Sequence, residues 1–341
     1  MRNGKLIRKI MIPAVMIFFI LTAAGCARKG KSEKIVTLNY ANFAAPSTFV
    51  CVQMERWADE VEARTGGRVI INTFPDSTLL DAKEMFDGVV SGQADIGCLC
   101  MAYQPGRFPV TNAMALPFGI ADAKTGSAAL VDLFQTIGAP EFDDVKVLTM
   151  FTNAPANIQS SKPVRTFDDI STVTLRASGG AGASLKAWGV NMLGMPMSET
   201  PEALQKGLVD GLFSSLEVMK DYRFAEYCPY VTEVNGVLYP FAVVMNKDVY
   251  ESLPSDIQKV FDDLFEEQSR WTAAYMDDHV KESMEWSKAE YGVEVFTLSD
   301  TDRQKLQEKN QEVISDWMLT TKEEGIDGEE IISRINSFLN K

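Results

Sequence analysis

Residues 85–100 read MFDGVVSGQADIGCLC, a short amphipathic segment that passes through a glycine into an apolar run. Its first apolar residues have helical spacing: Met85, Phe86, Val89 and Val90. We expect Asp81 to cap this helix and Gly92 to end it in a left-handed conformation. ADIGCLC (94–100) then predicts a buried strand. A helix that leads directly into a buried strand is typical of an α/β fold.

The same alternation of strands and helices continues on both sides of this stretch. Before it, KIVTLNYANF (34–43) and RVIINTF (68–74) predict strands that flank a helix over residues 47–65. After it, strands and helices alternate again in VTLRAS (173–178), GAGASLKAWG (180–189), PEALQKG (201–207) and LVDGLFSS (208–215). We expect Ser198 to cap the third of these segments. The alternation predicts α/β architecture with a largely parallel sheet.

Two segments of the chain repeat one pattern. FDGVVSGQADIG (86–97) and PEALQKGLVDGL (201–212) each end a helix at a glycine, place an aspartate three residues later and then enter a strand. The glycines allow the turn, and Asp95 and Asp210 can accept hydrogen bonds from nearby backbone N–H groups. The pattern predicts two similar α/β lobes that face a shared crevice, unless a common Gly-x-x-Asp spacing recurs here by chance.

The C-terminal third predicts mostly helix. Residues 255–291 contain no glycine or proline, and their apolar residues keep helical spacing. A helix of this length exceeds what one lobe needs, so we expect it to lie across both lobes. VEVFTL (293–298) predicts a late strand, and two helices complete the chain.

The length of 341 residues agrees with two domains at roughly 100–200 residues each. We expect lobe I to comprise residues 34–153 and 242–281, and lobe II to comprise residues 154–241 and 282–341. The chain would then pass between the lobes near residues 153 and 241, where we expect a hinge.

The N-terminus has the pattern of an export signal. Four basic residues precede an apolar run over residues 10–24, which is too short to favour a membrane-spanning helix. The run ends in LTAAGC, so we expect residues 1–25 to be a lipoprotein signal peptide and Cys26 to be lipidated. A non-lipidated signal with a chance cysteine is the alternative. Residues 26–33 would form a polar tether between the membrane and the domain.

Composition excludes several classes of function. The single histidine, His279, leaves no material for a His-rich metal site and little for a Ser-His-Asp triad. The formal charge of −14, or −18 without residues 1–25, argues against binding of nucleic acid. The sequence contains no P-loop, no dinucleotide fingerprint and no G-x-S-x-G elbow. We therefore expect a monomeric binding protein without metal or cofactor, and not an enzyme.

Four cysteines follow the signal segment: Cys51, Cys98, Cys100 and Cys228. Export would permit disulfides, but each cysteine lies in an apolar context, which favours small buried side chains. Their spacing does not favour a metal site.

Four motifs, found in order along the chain, together resemble the pattern of a known protein family. They are SGQADIG with YQPGRFPVTNAMALPF (91–97 and 103–118), SKPVRTFDDI with TLR (161–170 and 174–176), MPMSETPEALQKGLVDG (195–211), and LP-x-x-x-Q (253–258). Together they resemble the DctP-type solute receptors, the solute-binding proteins of TRAP (tripartite ATP-independent periplasmic) transporters. The resemblance implies a two-lobed periplasmic-binding-protein fold that closes around an organic acid and delivers it to membrane permease subunits.

The resemblance also implies a binding role for Arg176. In this family an Arg at the end of the TLR strand grips the carboxylate of the ligand. A guanidinium offers two parallel N–H donors that match two carboxylate oxygens, and little solvent screens the pair in a closed crevice. This sequence has Ser214 where many relatives have an Asn that helps to hold the ligand, so a hydroxyl must take that role. The region around Ala156 and Asn157 lacks the second Arg of acid-sugar receptors.

The other candidate crevice residues are mainly apolar or aromatic. They are Phe43, Pro46, Cys100, Met101, Tyr103, Met197, Phe213, Tyr239 and Phe241. One carboxylate anchor with an apolar wall predicts a hydrophobic or aromatic monocarboxylate as the ligand. For each of these residues except Tyr103 and Phe213, a place in the hydrophobic core is the favoured alternative. Two other functions stay open, a ligand-sensing subunit of a signalling system and an exported enzyme that acts on a carboxylate.

Overall fold

The computed structural model describes residues 35–340, so the predicted signal peptide, the tether and Cys26 lie outside the described residues. The strands of that range are β1 (Val36–Asn42), β2 (Val69–Phe74), β3 (Ile96–Cys100), β4 (Val145–Thr152), β5 (Asn157–Ser160), β6 (Thr174–Ala177), β7 (Asn191–Gly194), β8 (Gly211–Ser214), β9 (Tyr230–Glu233), β10 (Pro240–Asn246) and β11 (Glu294–Thr297). Its α-helices are α1 (Phe49–Thr65), α2 (Met85–Val90), α3 (Ala123–Ile137), α4 (Gly182–Ala187), α5 (Thr200–Gln205), α6 (Val218–Asp221), α7 (Lys247–Ser252), α8 (Ser255–Tyr291), α9 (Asp300–Glu323) and α10 (Gly328–Leu339). Within residues 35–340, no helix has both the length and the apolar character that a membrane crossing requires.

The strands form two mixed sheets, with the orders β2-β1-β3-β10-β4 and β11-β9-β5-β8-β6-β7. The helix-connected strands run parallel, as in the pairs β1/β2, β1/β3, β6/β7 and β6/β8. Strand β10 runs antiparallel to β3 and β4, and strand β5 runs antiparallel to β8 and β9. The predicted α/β architecture is confirmed, but the prediction of a largely parallel sheet is wrong.

The antiparallel strands β5 and β10 each follow a short connection from one sheet to the other, while a third passage, from β10 to β11, runs through α7 and α8. Residues 153–156 connect β4 to β5, and residues 234–239 connect β9 to β10. Both connections are short and lack a helix, whereas a parallel neighbour needs a crossover of a dozen or more residues. The two connections also pair with each other, because the Ala156 N–H donates to Val237 O (2.9 Å) and the Gly236 N–H donates to Ala156 O (2.9 Å).

The repeated Gly-x-x-Asp pattern makes the same contacts in both sheets. The Asp95 carboxylate accepts the Asn39 N–H of β1 at 2.7 Å, and the Asp210 carboxylate accepts the Thr174 N–H of β6 at 2.9 Å. The Asp95 N–H also donates to the Asn39 carbonyl, and the Asp210 N–H donates to the Thr174 carbonyl. The partner therefore lies on the adjacent parallel strand and not in the local turn. Each aspartate fixes the register of the strand that follows it.

Two predicted helix caps are not observed. Helix α2 begins at Met85 with Glu84 at the N-cap position, and α5 begins at Thr200 after a 3₁₀ turn with Glu199 at that position. Neither N-cap side chain accepts a cap hydrogen bond. Asp81 and Ser198 are therefore not caps, because a preceding turn takes up the residues between them and the helix. Gly92 has the predicted left-handed conformation, with φ +74°.

The predicted long helix is α8, with 37 residues and a length of about 56 Å at 1.5 Å per residue. It contacts elements of both sheets. The Thr149 hydroxyl of β4 donates to Phe265 O at 2.9 Å, and the Ser283 hydroxyl donates to Leu216 O, just beyond β8, at 2.8 Å. The helix thus contacts both sheets through side chains along its length.

The four described cysteines are buried and have free thiols. Burial raises the pKa of Cys51, Cys100 and Cys228 to about 12, so these thiols stay protonated and unreactive. They act as small apolar side chains, as the sequence predicted.

Candidate ligand-binding site

A pocket with a cavity volume of about 40 Å³ lies where strand ends of both sheets meet. The first sheet contributes the β1–α1 connection and the residues after β3, and the second contributes the ends of β6 and β8 and helix α6. Loops at the carboxyl ends of parallel strands are where open α/β sheets bind ligands. The pocket therefore has the position that the two-lobe prediction gave to the crevice.

Arg176 is the charged centre of the pocket wall. Its side chain lies on β6, and the residue is only 1% exposed. The guanidinium is held along one edge, because Nε and Nη2 both donate to Met195 O, at 3.0 and 2.7 Å. Among residues 35–340, no carboxylate oxygen lies within 4 Å of it and no acceptor engages Nη1. Nη1 thus keeps both of its N–H groups for an incoming anion, while the two N–H groups of Nη2 lie toward Met195 O and the Tyr103 hydroxyl.

Tyr103 connects the guanidinium to the first sheet. Its hydroxyl accepts the Met197 N–H at 3.1 Å and lies 3.5 Å from Arg176 Nη2. Burial raises the pKa of Tyr103, so the phenol keeps its proton. Both contacts use the oxygen as acceptor. The hydroxyl proton therefore remains available to an acceptor in the pocket.

The apolar wall consists of packed aromatic rings. Phe241 meets Phe49 edge-on at 5.4 Å and stacks on Phe151 at 5.6 Å, and Phe43 packs edge-on against Tyr103 at 5.4 Å. Such contacts fix the rings in place, because edge-to-face and offset geometries are the favoured ones. The wall is therefore a rigid apolar surface beside the guanidinium.

An acidic group that the sequence analysis did not identify lines another part of the pocket. The Ser215 hydroxyl donates to Glu217 Oε1 at 2.8 Å, and Asn153 Nδ2 donates to Ser215 Oγ at 2.9 Å. Burial, with the nearby charge of Asp221, raises the pKa of Glu217 to about 7. Asp221 Oδ1 lies 2.7 Å from His279 Nε2, and this contact raises the pKa of His279.

The local sequence gave little sign of this acidic group. Glu217 and Asp221 are four residues apart in LEVMKD, a spacing that also describes ordinary charges on a solvated helix. Their burial results from long-range packing of α8 onto the short helix α6, as in the contact of the Ser283 hydroxyl with Glu217 O at 3.2 Å. No local pattern encodes that contact.

Most of the candidate residues named from the sequence line the pocket. They are Phe43, Cys100, Tyr103, Arg176, Met197, Ser214, Tyr239 and Phe241. Residues that line it and were not named include Thr48, Asn153, Ser178 and Tyr222.

Three named residues do not line the pocket. Pro46 is exposed on the turn before α1, and Met101 is fully buried in the core at the start of a 3₁₀ turn. Phe213 precedes Ser214 on β8, and successive side chains of a strand point to opposite faces. Since Ser214 faces the pocket, Phe213 packs on the other side against Trp188, at 5.4 Å.

Comparison with known proteins gives a consistent result. Residues 40–320 match the DctP model, described as bacterial extracellular solute-binding protein, family 7. A TRAP periplasmic solute-binding protein from Desulfovibrio salexigens is 48% identical, with a TM-score of 0.80 over 89% of this chain and 95% of its own. Its crystal structure is an open complex in which the C-terminus of a symmetry mate occupies the ligand-binding site.

Two further relatives bind named acids. A TRAP solute-binding protein from a marine metagenome, specific for aromatic acids and crystallised with 3-hydroxybenzoate, is 25% identical, with a TM-score of 0.86 over 90% of this chain and 98% of its own. The 2,3-diketo-L-gulonate-binding periplasmic protein YiaO of Escherichia coli is 26% identical over 74% of this chain and 77% of its own. The family match spans most of the chain and agrees with the two-sheet architecture and the long helix. The chain therefore belongs to the DctP family of bacterial extracellular solute-binding proteins, family 7, as a TRAP-type solute-binding protein.

Proposed function

We propose that this protein is a receptor that binds a hydrophobic or aromatic monocarboxylate between two lobes and delivers it to a TRAP permease. The observation that carries this proposal is Arg176. It is a buried guanidinium that lines the pocket, and it has no carboxylate partner among the described residues. A buried charge without a counter-charge is costly, and a bound carboxylate supplies that counter-charge.

The apolar wall and the relatives support the class of ligand. Phe43, Phe49 and Phe241 offer aromatic surface to the body of an acid whose carboxylate lies on Arg176. The marine relative is specific for aromatic acids, and the site of the Desulfovibrio salexigens relative holds a chain terminus, which ends in a carboxylate. Ser214 would add a hydroxyl donor, and Met197 and Tyr103 would close the carboxylate end.

Closure of the two lobes would complete the site. The lobes proposed are residues 34–153 with 242–281 and residues 154–241 with 282–341, which move about the paired connections near residues 153 and 241. Closure removes water from around Arg176 and so strengthens its pairing with the ligand. A lipid on Cys26 would anchor the receptor, a monomer, at the outer face of the membrane.

The test is binding of defined acids to the wild-type protein and to Arg176→Met. We expect aryl and keto monocarboxylates to raise the Tm of the wild type, because a ligand that binds only the folded state stabilises it. In Arg176→Met we expect affinity to fall by about 100-fold or more, since a buried charge-assisted pair is lost. Unliganded Arg176→Met should keep its Tm, because Met fills a similar volume without a buried charge.

Arg165→Met is the matched control, because Arg165 is exposed and lies over the Phe296 ring outside the pocket. It should bind as the wild type does. Unchanged affinity in Arg176→Met, or no shift with any organic acid, would contradict the proposal. The added acid should be recovered chemically unaltered, and its conversion to product would favour an enzyme instead.

A further inference from the structure

The pocket contains a second polar position, and it carries unused acceptor atoms. Glu217 is 3% exposed and lines the pocket together with Arg176. Its Oε1 accepts the Ser215 hydroxyl, but Oε2 is buried and has no hydrogen-bond partner among residues 35–340. Leaving a buried acceptor unpaired costs about 1–3 kcal/mol. When Glu217 is ionised, the native chain therefore carries an acceptor without a donor of its own.

Asp221 repeats this arrangement beside Glu217. Its Oδ1 contacts His279 Nε2, while its Oδ2 is buried and likewise has no partner within the described part of the chain. Lys220 does not donate to Asp221 Oδ2, because its Nζ pairs with Glu282 on the solvent side. Two buried carboxylate oxygens that line one pocket are thus without donors.

This acidic position is separate from the carboxylate anchor. No carboxylate oxygen of the described residues approaches Arg176 within 4 Å, so Glu217 and Asp221 form no direct ion pair with the guanidinium. The two positions also use different supports, Met195 and Tyr103 for Arg176 and Ser215 with Asn153 for Glu217. One pocket therefore presents free donors at one position and free acceptors at another.

We propose that Glu217, with Asp221 beside it, forms a second subsite that accepts a hydrogen bond from an O–H or N–H group of the bound acid. This inference rests on the proposed function and narrows its ligand class to acids that bear a donor besides the carboxylate, such as hydroxy- or amino-substituted aryl acids. An acid without such a group leaves the buried acceptors unpaired. A binding site that accepts a hydrogen bond from an O–H or N–H group of its ligand discriminates against an analogue that lacks this group.

The experiment compares acids that differ only in the donor. Calorimetric Kd values are measured at about pH 8, where Glu217 is ionised, for benzoate, 3-hydroxybenzoate and 3-aminobenzoate, and for phenylacetate with 3-hydroxyphenylacetate. The proteins are the wild type, Glu217→Gln and Asp221→Asn. Gln keeps the size of the side chain but replaces one acceptor with a donor. Glu285→Gln is the matched control, because Glu285 is exposed on α8.

In the wild type we expect 3-hydroxybenzoate or 3-aminobenzoate to bind at least tenfold tighter than benzoate. We expect 3-hydroxyphenylacetate to bind at least tenfold tighter than phenylacetate if the donor is an O–H group. Glu217→Gln should reduce this preference to threefold or less, because it weakens the substituted acids more than the parent acids, and Glu285→Gln should change neither the preference nor the affinities. The hydroxy and amino members distinguish an O–H from an N–H donor. Equal binding of parent and substituted acids by the wild type, or equal weakening of both by Glu217→Gln, would overturn the subsite.

These outcomes differ from failure of the proposed function. Binding that depends on Arg176 but shows no preference for a donor overturns the second subsite alone. Failure of all five acids to bind the wild type overturns both the aromatic ligand class and the subsite.

Discussion

Glu217 links the pocket to pH. Its surroundings contain Asp221 and Lys220 from α6, and His279 and Glu282 from α8. The pKa of Glu217 is raised to about 7 by burial, and those of Asp221 and His279 are also raised. Between pH 4.5 and 7 the folded protein keeps a proton on Glu217 that the unfolded chain has released. The free energy of unfolding therefore falls as the pH rises through this range.

We predict that Glu217→Gln removes this dependence. Relative to the variant, the wild type should lose up to about 3 kcal/mol of unfolding free energy between pH 4.5 and 7. Urea unfolding at several pH values measures this difference, and the contribution of Glu282, whose pKa is lowered, is common to both proteins. Stability curves that stay parallel across this range would contradict the raised pKa of Glu217.

At the scale of residues, the sequence identified the pocket residue that belongs to a motif, but not the one whose burial results from long-range packing. Arg176 follows from the TLR motif and the strand-end position. Glu217 has no local signal, because its burial depends on contacts with α8 more than sixty residues away. Phe213 and Ser214 were both named, and only the strand pairing decides which of two neighbours faces the pocket.

At the scale of elements, Gly211 determines how β8 packs against β5. A Cβ on Gly211 would lie 2.0 Å from Gln159 O and 2.7 Å from Ser160 Cα, both backbone atoms that cannot rotate away. Strand β8 carries Ser214 to the pocket and pairs with β5 on one side and β6 on the other. Any side chain at residue 211 must therefore separate strands in the middle of the second sheet.

We predict that Gly211→Ala destabilises the protein by several kcal/mol, or prevents soluble expression, because two paired backbones must move apart. Gly182→Ala is the matched control, since its Cβ would meet Met192 Cε at an ordinary 3.5 Å at the start of α4. The control should keep or slightly raise the Tm. Equal Tm values for the two variants would show that β8 tolerates the shift.

Helices were predicted more accurately than sheet direction. The long helix, the late strand and the two final helices occur as the periodicity predicted, because 3.6-residue spacing is a local property. Strand direction depends on which connections pass between the sheets. The sequence predicts passages between the lobes near residues 153 and 241, but nothing in residues 153–156 or 234–239 indicates the direction of the strand that follows.

At the scale of the whole molecule, the two connections and α8 are the elements that join the sheets around the pocket. Asn153 belongs to both the connection and the pocket: its Oδ1 accepts the Tyr239 N–H at 2.7 Å, and its Nδ2 donates to Ser215. Ser215 therefore links Asn153 to Glu217 by two hydrogen bonds, so a movement of the connection at Asn153 would alter the surroundings of Glu217. The connection that we propose as a hinge and the subsite that we propose at Glu217 share one hydrogen-bond network.

The net charge of the chain opposes the ligand that we propose. Without residues 1–25 the formal charge is −18, so an approaching anion meets an unfavourable field before it reaches Arg176. Salt screens that long-range repulsion, with a Debye length of about 10 Å at 0.1 M, but screens the buried ion pair much less. We predict that raising NaCl from about 10 mM to about 300 mM increases the association rate of an aryl carboxylate several-fold and leaves its dissociation rate nearly unchanged. Stopped-flow fluorescence measures both rates, and an association rate that falls with salt would mean that local positive charge guides the anion into the pocket.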